Sequence, residues 1–159
     1  MQTTMTKNIA LAGHAGSGKT TLCEALLYQS GVTERIGKIT EGNTVSDYTA
    51  EEIKRKSSVY TTLSTIRTGA LQVNLLDTPG MFDFAGEMTE GIYGSDCTLI
   101  TVSGKSRVRV GTQKAYDCAV ALGKPRMFVV TKLDDDNANF YNVLTDLKSK
   151  FGSTVCPVV

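Results

Sequence analysis

The chain has 159 residues, of which 41% are hydrophobic and 21% are charged. This composition is typical of a globular protein and suffices for one domain with its own core. The formal net charge of +1 excludes a general basic field that would hold the chain on DNA, RNA or an acidic membrane. Four cysteines without a C-x-x-C pair, and no export signal or membrane span, favour a cytoplasmic location.

The first half of the chain predicts a strand, a loop, a helix and a hairpin. Residues 9–12 form an apolar, strand-like run that enters a Gly-rich loop. The helix that follows presents a face formed by Leu22, Ala25, Leu26 and Gln29. Residues 31–57 are polar and lack a period, which predicts a long mobile loop of the functional kind. The β-branched runs at residues 59–67 and 71–76 predict an antiparallel hairpin.

From residue 82 onward, predicted helices and strands alternate. The helices cover residues 82–92, 110–122 and 140–151, and the strands cover residues 97–102, 127–130 and 155–159. This alternation predicts an α/β fold: a mostly parallel sheet with one antiparallel strand and helices on both faces. Because the sequence ends in an apolar strand that no helix covers, we expect a domain over residues 1–159 that is incomplete at its C-terminal end and belongs to a larger multidomain protein.

A phosphate-binding motif lies between the first predicted strand and helix. Residues 13–20, GHAGSGKT, fit the pattern G-x-x-x-x-G-K-[ST]. In such a loop the glycines turn successive N–H groups toward a phosphate, Lys19 neutralises β/γ-phosphate charge, and the Thr20 hydroxyl reaches Mg²⁺. The alternative is a glycine turn that happens to precede a lysine, and the matching flanks disfavour it.

Two further motifs follow predicted strands. In residues 77–80, DTPG, Asp77 can hold a Mg²⁺-bound water and the Gly80 N–H can reach a γ-phosphate. In residues 131–134, TKLD, Asp134 can accept two hydrogen bonds from guanine, and adenine lacks that donor pair. Each motif alone is a common polar turn. Their order and spacing after the phosphate loop favour a guanine-nucleotide site.

Four runs resemble the G domain of elongation factor G, a translational GTPase, and of its elongation-factor-G-like paralogues. They are NIALAGHAGSGKTTLCEALLYQSG, GKITEGNTVSDYTAEEIKRKSS, NLLDTPGMFDFAGE and RMFVVTKLDDDNANF. The resemblance implies a P-loop G domain that cycles between GTP and GDP, with Mg²⁺, on the ribosome. It also implies a first switch segment near residues 55–59 and a second at residues 80–87. Ser58 occupies the position of the family's Mg²⁺-binding Thr.

The sequence departs from the family pattern where hydrolysis is concerned. Met81 stands where the elongation factors have a His that orients the attacking water, and a thioether donates no hydrogen bond. We therefore expect GTP hydrolysis that is slow without the ribosome; the alternative is a GTP-binding regulator with weak or no hydrolysis. His14 is expected to pack locally rather than replace the missing group. Thr131 replaces the usual Asn of the guanine motif.

Two other interpretations remain open from the residues. The chain could be a P-loop ATPase or kinase unrelated to translation, although the TKLD motif disfavours this. Lys105, Arg107 and Arg109 could contact RNA, or they could form a solvated surface.

The predicted site comprises three overlapping sets. The nucleotide-binding residues are Gly13, His14, Ala15, Gly16, Ser17, Gly18, Lys19, Thr20, Thr21, Asp77, Thr78, Gly80, Thr131, Lys132 and Asp134. The metal ligands are Thr20, Ser58 and Asp77. The catalytic residues are Lys19 and Gly80.

Overall fold

A computed structural model describes residues 5–158, which form five strands and five α-helices. The strands are β1 (Met5–Gly13), β2 (Thr62–Thr68), β3 (Leu71–Asp77), β4 (Cys97–Ser103) and β5 (Arg126–Thr131). The helices are α1 (Lys19–Gln29), α2 (Ala50–Arg55), α3 (Ala85–Tyr93), α4 (Val110–Ala121) and α5 (Phe140–Phe151). Two 3-10 turns lie at Ile39–Glu41 and Phe82–Phe84.

The sheet has the order β2-β3-β1-β4-β5. β1 runs parallel to β3 and β4, β5 runs parallel to β4, and β2 pairs antiparallel with β3. The predicted sheet and hairpin are therefore confirmed. Because Leu11 lies opposite Asp77 and Gly13 lies opposite Thr101, the carboxyl ends of three neighbouring strands meet at one edge, where α/β sheets bind their ligands.

Alternating residues of the central strand pack against helices on opposite faces of the sheet. Ala10 and Ala12 join a buried cluster with Met88 and Ile92 of α3 and with Ala115 of α4. The intervening strand residue, Leu11, packs instead with Cys23 and Leu27 of α1. Helices thus cover both faces, as the alternation of elements predicted.

The prediction of a structureless loop over residues 31–57 is wrong in part. The segment contains one 3-10 turn and helix α2, which begins with a reciprocal capping box between Thr49 and Glu52. A six-residue helix has too few turns to show an apolar period, so its stability depends on caps and anchors rather than on an amphipathic face.

Two helix predictions need correction. In α1 the buried side is formed by Thr20, Cys23, Glu24 and Leu27, whereas Leu22 and Leu26 are only partly buried. Polar groups occupy this side because they have hydrogen-bond partners there. The predicted helix at residue 82 begins as a 3-10 turn, and the α-helix starts at Ala85.

The final strand predicted at residues 155–159 is not found over residues 155–158, and residue 159 lies outside the described residues. A strand needs ladder hydrogen bonds with a neighbour, and Pro157 has no N–H to donate. Val155 instead packs beside the α5 cluster of Val143 and Leu147.

Candidate nucleotide site

The phosphate loop is anchored between β1 and β4. Gly13 ends β1 with φ 138°, and a Cβ at this position would lie 2.6 Å from the Thr101 carbonyl oxygen. Only glycine tolerates both conditions. The Ser17 hydroxyl lies 2.6 Å from the Thr101 hydroxyl, and α1 begins at Lys19. The loop therefore delivers the first N–H groups of α1 to the carboxyl edge of the sheet.

Lys19 is held inside the loop. Its side chain is 5% exposed, and its Nζ donates to the carbonyl oxygens of Gly13 at 3.2 Å and His14 at 3.1 Å. Burial lowers the pKa of the Lys19 ammonium, and the charges of Asp77 and Asp47 oppose that shift. The buried lysine thus lies in the field of two acidic side chains.

Those two acids have carboxylates without hydrogen-bond partners. Asp77 ends β3 and is 1% exposed; neither of its carboxylate oxygens accepts a hydrogen bond of standard geometry, although the Thr20 and Ser46 hydroxyls lie near enough to counter part of the pKa shift. Burial raises the pKa of Asp77 to about 6. Asp47 is also buried, and neither of its oxygens accepts a hydrogen bond of standard geometry; burial raises its pKa, and the nearby Ser58 hydroxyl opposes that shift. Orphaned carboxylates are rare in proteins and call for a partner such as a cation.

Two hydroxyls meet beside these acids. Thr20 Oγ1 lies 3.2 Å from Ser58 Oγ, and both residues are buried. A cation that binds phosphates takes such hydroxyl and carboxylate oxygens together with the phosphate oxygens. Across residues 5–158 no three His, Cys, Asp or Glu side chains cluster as a metal site by themselves. The residues present fit Mg²⁺ held jointly by protein and nucleotide.

Residues 80–87, which the family resemblance predicts to be the second switch segment, lie against the phosphate loop. A Cβ on Gly80 would meet Lys19 Nζ and lie 2.7 Å from the Ala15 backbone nitrogen. The phosphate loop, Gly80 and five residues between positions 39 and 58 line what we call the phosphate cavity. Its lining residues are Ala15, Gly16, Gly18, Lys19, Thr20, Ile39, Asp47, Lys56, Ser57, Ser58 and Gly80.

The guanine motif is attached to the phosphate loop through its first residue. The Thr131 hydroxyl donates to the Ser17 carbonyl oxygen at 2.6 Å. Lys132 has φ 55°, and Asp134 is exposed at the loop surface. Neither Lys132 nor Asp134 lines the phosphate cavity, so the predicted base-binding residues lie apart from it, and the Thr131 hydrogen bond connects the two parts.

Two other predicted site residues, Thr78 and Thr21, do not line the phosphate cavity. The Thr78 hydroxyl is buried and donates to the Leu11 carbonyl oxygen at 2.8 Å, which ties the DTPG motif to β1. Thr21 is exposed on α1. Any contact of Thr78 with nucleotide must therefore use its backbone.

Met81 and His14 occupy the side of the site next to α4. Met81 is 38% exposed and lines a small second cavity with Phe82 and Lys114. The His14 Cα lies 2.7 Å from the position of a Cβ on Gly111, and its ring centroid lies 6.0 Å from that of Phe82. Burial, together with the charges of Arg109 and Lys19, lowers the pKa of His14. His14 therefore packs as a neutral ring.

The basic loop after β4 is largely paired. Lys105 contacts Asp135 at 3.0 Å and Arg107 contacts Asp146 at 3.7 Å. The Arg109 Nε donates to the Ser106 carbonyl oxygen. These pairs favour the solvated-surface interpretation over an RNA contact.

Sequence reasoning missed three acidic residues that shape the site. Asp47 lines the phosphate cavity. Glu24 of α1 accepts hydrogen bonds from the backbone N–H groups of Gly37 at 3.1 Å and Val45 at 2.6 Å. Glu52 caps α2, and the pattern T-x-x-E was the one available signal for it. Nothing in the sequence distinguishes Asp47 or Glu24 from a solvated acid.

Comparisons with known proteins agree with this geometry. The sequence pattern of the elongation factor Tu GTP binding domain matches residues 4–158. An elongation factor G-like protein of Mycobacterium tuberculosis is 39% identical over 152 residues, which are 96% of this chain and 21% of that protein. The mitochondrial ribosome-releasing factor 2 of Drosophila grimshawi is 34% identical over 144 residues, which are 91% of this chain and 20% of that protein. A crystal structure from Thermus thermophilus has a TM-score of 0.90 and 46% identity, over 94% of this chain and 22% of that chain.

The sheet order, the phosphate loop and these matches define the G domain of a translational GTPase. The chain belongs to the elongation factor Tu GTP binding domain family, and it is a guanine-nucleotide-binding domain. It spans about a fifth of the length of the curated relatives it matches. No helix within residues 5–158 has the length and apolar character needed to cross a membrane.

Proposed function

We propose that the chain binds GTP and GDP with Mg²⁺ and hydrolyses GTP in a step of translation on the ribosome. The observation that carries the proposal is the pair of buried, unpartnered carboxylates, Asp47 and Asp77, next to a buried Lys19. The names of the two relatives, an elongation factor G-like protein and a ribosome-releasing factor, support the ribosome as partner. A cytoplasmic location is part of the same proposal.

The roles of the phosphate-site residues follow from where they lie. Backbone N–H groups at the start of α1 bind the phosphates, and Lys19 exchanges its loop carbonyl contacts for phosphate oxygens. Thr20 and Ser58 would hold Mg²⁺ through their hydroxyl oxygens, and the Asp77 carboxylate would help to hold it. When bound, the metal neutralises charge on the β- and γ-phosphate oxygens. Asp47 adds a second carboxylate to this region.

Base recognition is assigned to Lys132 and Asp134. The Asp134 carboxylate accepts the two donors on the guanine edge, and an adenine would leave it unpaired. Thr131 has a structural role, because its hydroxyl donates a hydrogen bond to the Ser17 carbonyl oxygen.

Hydrolysis rests on Gly80 and on the position occupied by Met81. We assign the Gly80 N–H to the γ-phosphate, because Gly80 packs beside Lys19 Nζ and the Ala15 backbone. Met81 supplies no hydrogen bond to an attacking water, so turnover is slow unless the ribosome contributes a group. A GTP-binding regulator with little hydrolysis is the second candidate function, and the thioether at residue 81 is the observation that favours it.

Titration of the full chain with fluorescent GDP and ATP analogues in Mg²⁺ tests binding. We expect GDP to bind and ATP not to bind. Lys19→Ala is expected to abolish GDP binding without loss of fold, because its charge serves the ligand. Equal affinity for both nucleotides would remove the guanine assignment, and full GDP affinity in Lys19→Ala would remove the phosphate-site assignment. GTP turnover with and without ribosomes then separates the two candidate functions.

A further inference from the structure

Glu52 uses both carboxylate oxygens to join the two ends of the segment that carries Ser58. Its Oε1 accepts the backbone N–H groups of Val59 at 3.1 Å and Tyr60 at 3.2 Å. Its Oε2 accepts the backbone N–H of Thr49 at 3.2 Å and the Thr49 hydroxyl at 2.7 Å. The side chain is 1% exposed. Although burial opposes its ionisation, these hydrogen bonds lower the pKa of Glu52, so the carboxylate stays charged.

A second glutamate holds the next residue of the chain. The Thr61 N–H donates to Glu87 Oε2 at 2.7 Å, and the Thr61 hydroxyl donates to the Glu87 carbonyl oxygen at 3.0 Å. Glu87 is in the first turn of α3 and ends the second switch segment. The three N–H groups that directly follow Ser58 are therefore all bound by carboxylates, and one carboxylate comes from the other switch.

These backbone contacts matter because the residue that carries the hydroxyl at position 58 is a serine. A threonine has a β-branch that restricts χ1, and a serine lacks it. The position of the Ser58 hydroxyl, 3.2 Å from that of Thr20, consequently depends on how firmly its backbone is held. Neither glutamate lines the phosphate cavity, so both act at a distance from the ligands.

We propose that Glu52 and Glu87 are positioning residues that hold the Ser58 hydroxyl on Mg²⁺, with Glu87 making that contact depend on the second switch segment. The inference rests on the proposed function, since it requires Mg²⁺ at Thr20 and Ser58. It adds two residues outside the predicted site and a physical link between the two switch segments.

The test measures metal affinity rather than turnover. In the full chain loaded with a non-hydrolysable fluorescent GTP analogue, analogue dissociation is followed across a Mg²⁺ titration. We expect Glu52→Gln and Glu87→Gln each to raise the Mg²⁺ concentration for half-maximal slowing by about tenfold, the size typical of groups that orient metal ligands. Analogue dissociation in excess EDTA should not change. Glu51→Gln in α2 and Glu90→Gln in α3 are exposed, matched controls that should behave as the parent.

A double-mutant cycle separates positioning from a general effect on folding. In a Ser58→Ala background the metal ligand is gone, so Glu52→Gln and Glu87→Gln should cause no further shift in the Mg²⁺ midpoint. Full additivity of the shifts would overturn the inference. If Glu52→Gln does not fold, as thermal unfolding would reveal, the cycle with Glu87→Gln decides alone.

The outcome also distinguishes the inference from the function on which it rests. If the rate of analogue dissociation from the parent chain does not depend on Mg²⁺, the metal assignment is wrong, and the inference is wrong with it. A parent that responds to Mg²⁺, with glutamine variants that match it, would overturn the inference and leave the proposed function standing.

Discussion

Gly80 has no room for a side chain, because it packs directly against the phosphate loop. A Cβ there would meet Lys19 Nζ and the Ala15 backbone, so Gly80→Ala must push the second switch segment off the phosphate loop. Because a displacement of about 1 Å in a catalytic group can cost roughly 10²-fold in rate, we expect ribosome-stimulated GTP turnover to fall by that order while GDP binding persists. Single-turnover hydrolysis of GTP in the presence of ribosomes measures this change.

Gly86→Ala is the matched control for this change. Gly86 lies in the same segment, and a Cβ there would meet nothing within 4 Å. Parental turnover in both alanine variants would show that the contact between Gly80 and Ala15 has no part in hydrolysis.

The ionised, buried carboxylate of Asp77 lowers the free energy of unfolding when no ligand is bound. Its pKa rises from 3.8 to about 6 on burial, and a shift of one unit corresponds to about 1.4 kcal/mol. The folded state therefore binds more protons than the unfolded state between about pH 4 and 6, so stability falls as pH rises through that window. We expect Asp77→Asn, measured in EDTA, to raise the free energy of unfolding at pH 7 by about 1 to 3 kcal/mol.

The same variant should lose the Mg²⁺ dependence of nucleotide binding, because the carboxylate is gone. Its stability should also lose the decline between about pH 4 and 6. Denaturant unfolding at several pH values checks both the magnitude and the sign. A less stable variant would show that Asp77 already has a partner in the ligand-free protein.

At the scale of elements, hydrophobic periodicity predicted the strands of the sheet and missed helix α2, which polar contacts hold in place. β1 and β4 contain buried apolar runs, β3 alternates buried with half-buried residues, and β5 is an apolar run without a fully buried residue. Each of these patterns is local, so the sequence predicted all four strands. Helix α2 is fixed by carboxylate contacts with backbone N–H groups up to eight residues away, and no local pattern encodes those partners. For the same reason Glu24 resembles an ordinary surface acid until its partners are known.

Glu24 joins α1 to the segment that precedes α2. It is buried and accepts two backbone N–H groups, from Gly37 and Val45. Glu24→Ala leaves both donors without a partner, at a cost of about 1 to 3 kcal/mol for each buried group that stays unsatisfied. We expect a lower free energy of unfolding and faster amide exchange at Gly37 and Val45.

Glu34→Ala, an exposed position in the same part of the chain, should change neither quantity. If Glu24→Ala unfolds with the same free energy as the parent and shows the same amide exchange, water replaces the carboxylate at no cost. The contacts of Glu24 with Gly37 and Val45 would then be unimportant for stability.

At the scale of the whole molecule, the parallel sheet explains why three motifs separated by more than a hundred residues could be assigned to one site. The phosphate loop, DTPG and TKLD each follow a strand, and the strands run in the same direction. The sequence could therefore predict their convergence. It could not predict that the hydroxyls of Thr131 and Thr78 bind backbone carbonyl oxygens. A threonine in a motif looks the same in the sequence whether its hydroxyl binds the ligand or the protein backbone.

For the whole molecule, the proposed hydrolysis of GTP depends on the side chain at residue 81. Met81 is 38% exposed at the mouth of a cavity beside Gly80, so a histidine can replace it without disturbing the core. Because water-orienting and acid/base groups contribute about 10²- to 10⁴-fold, Met81→His should raise ribosome-stimulated GTP turnover on the order of 10²-fold and leave nucleotide affinity unchanged. Met81→Leu, which adds no donor, should turn over as the parent does. Rapid hydrolysis by the parent alone, unchanged in both variants, would mean that another group orients the water.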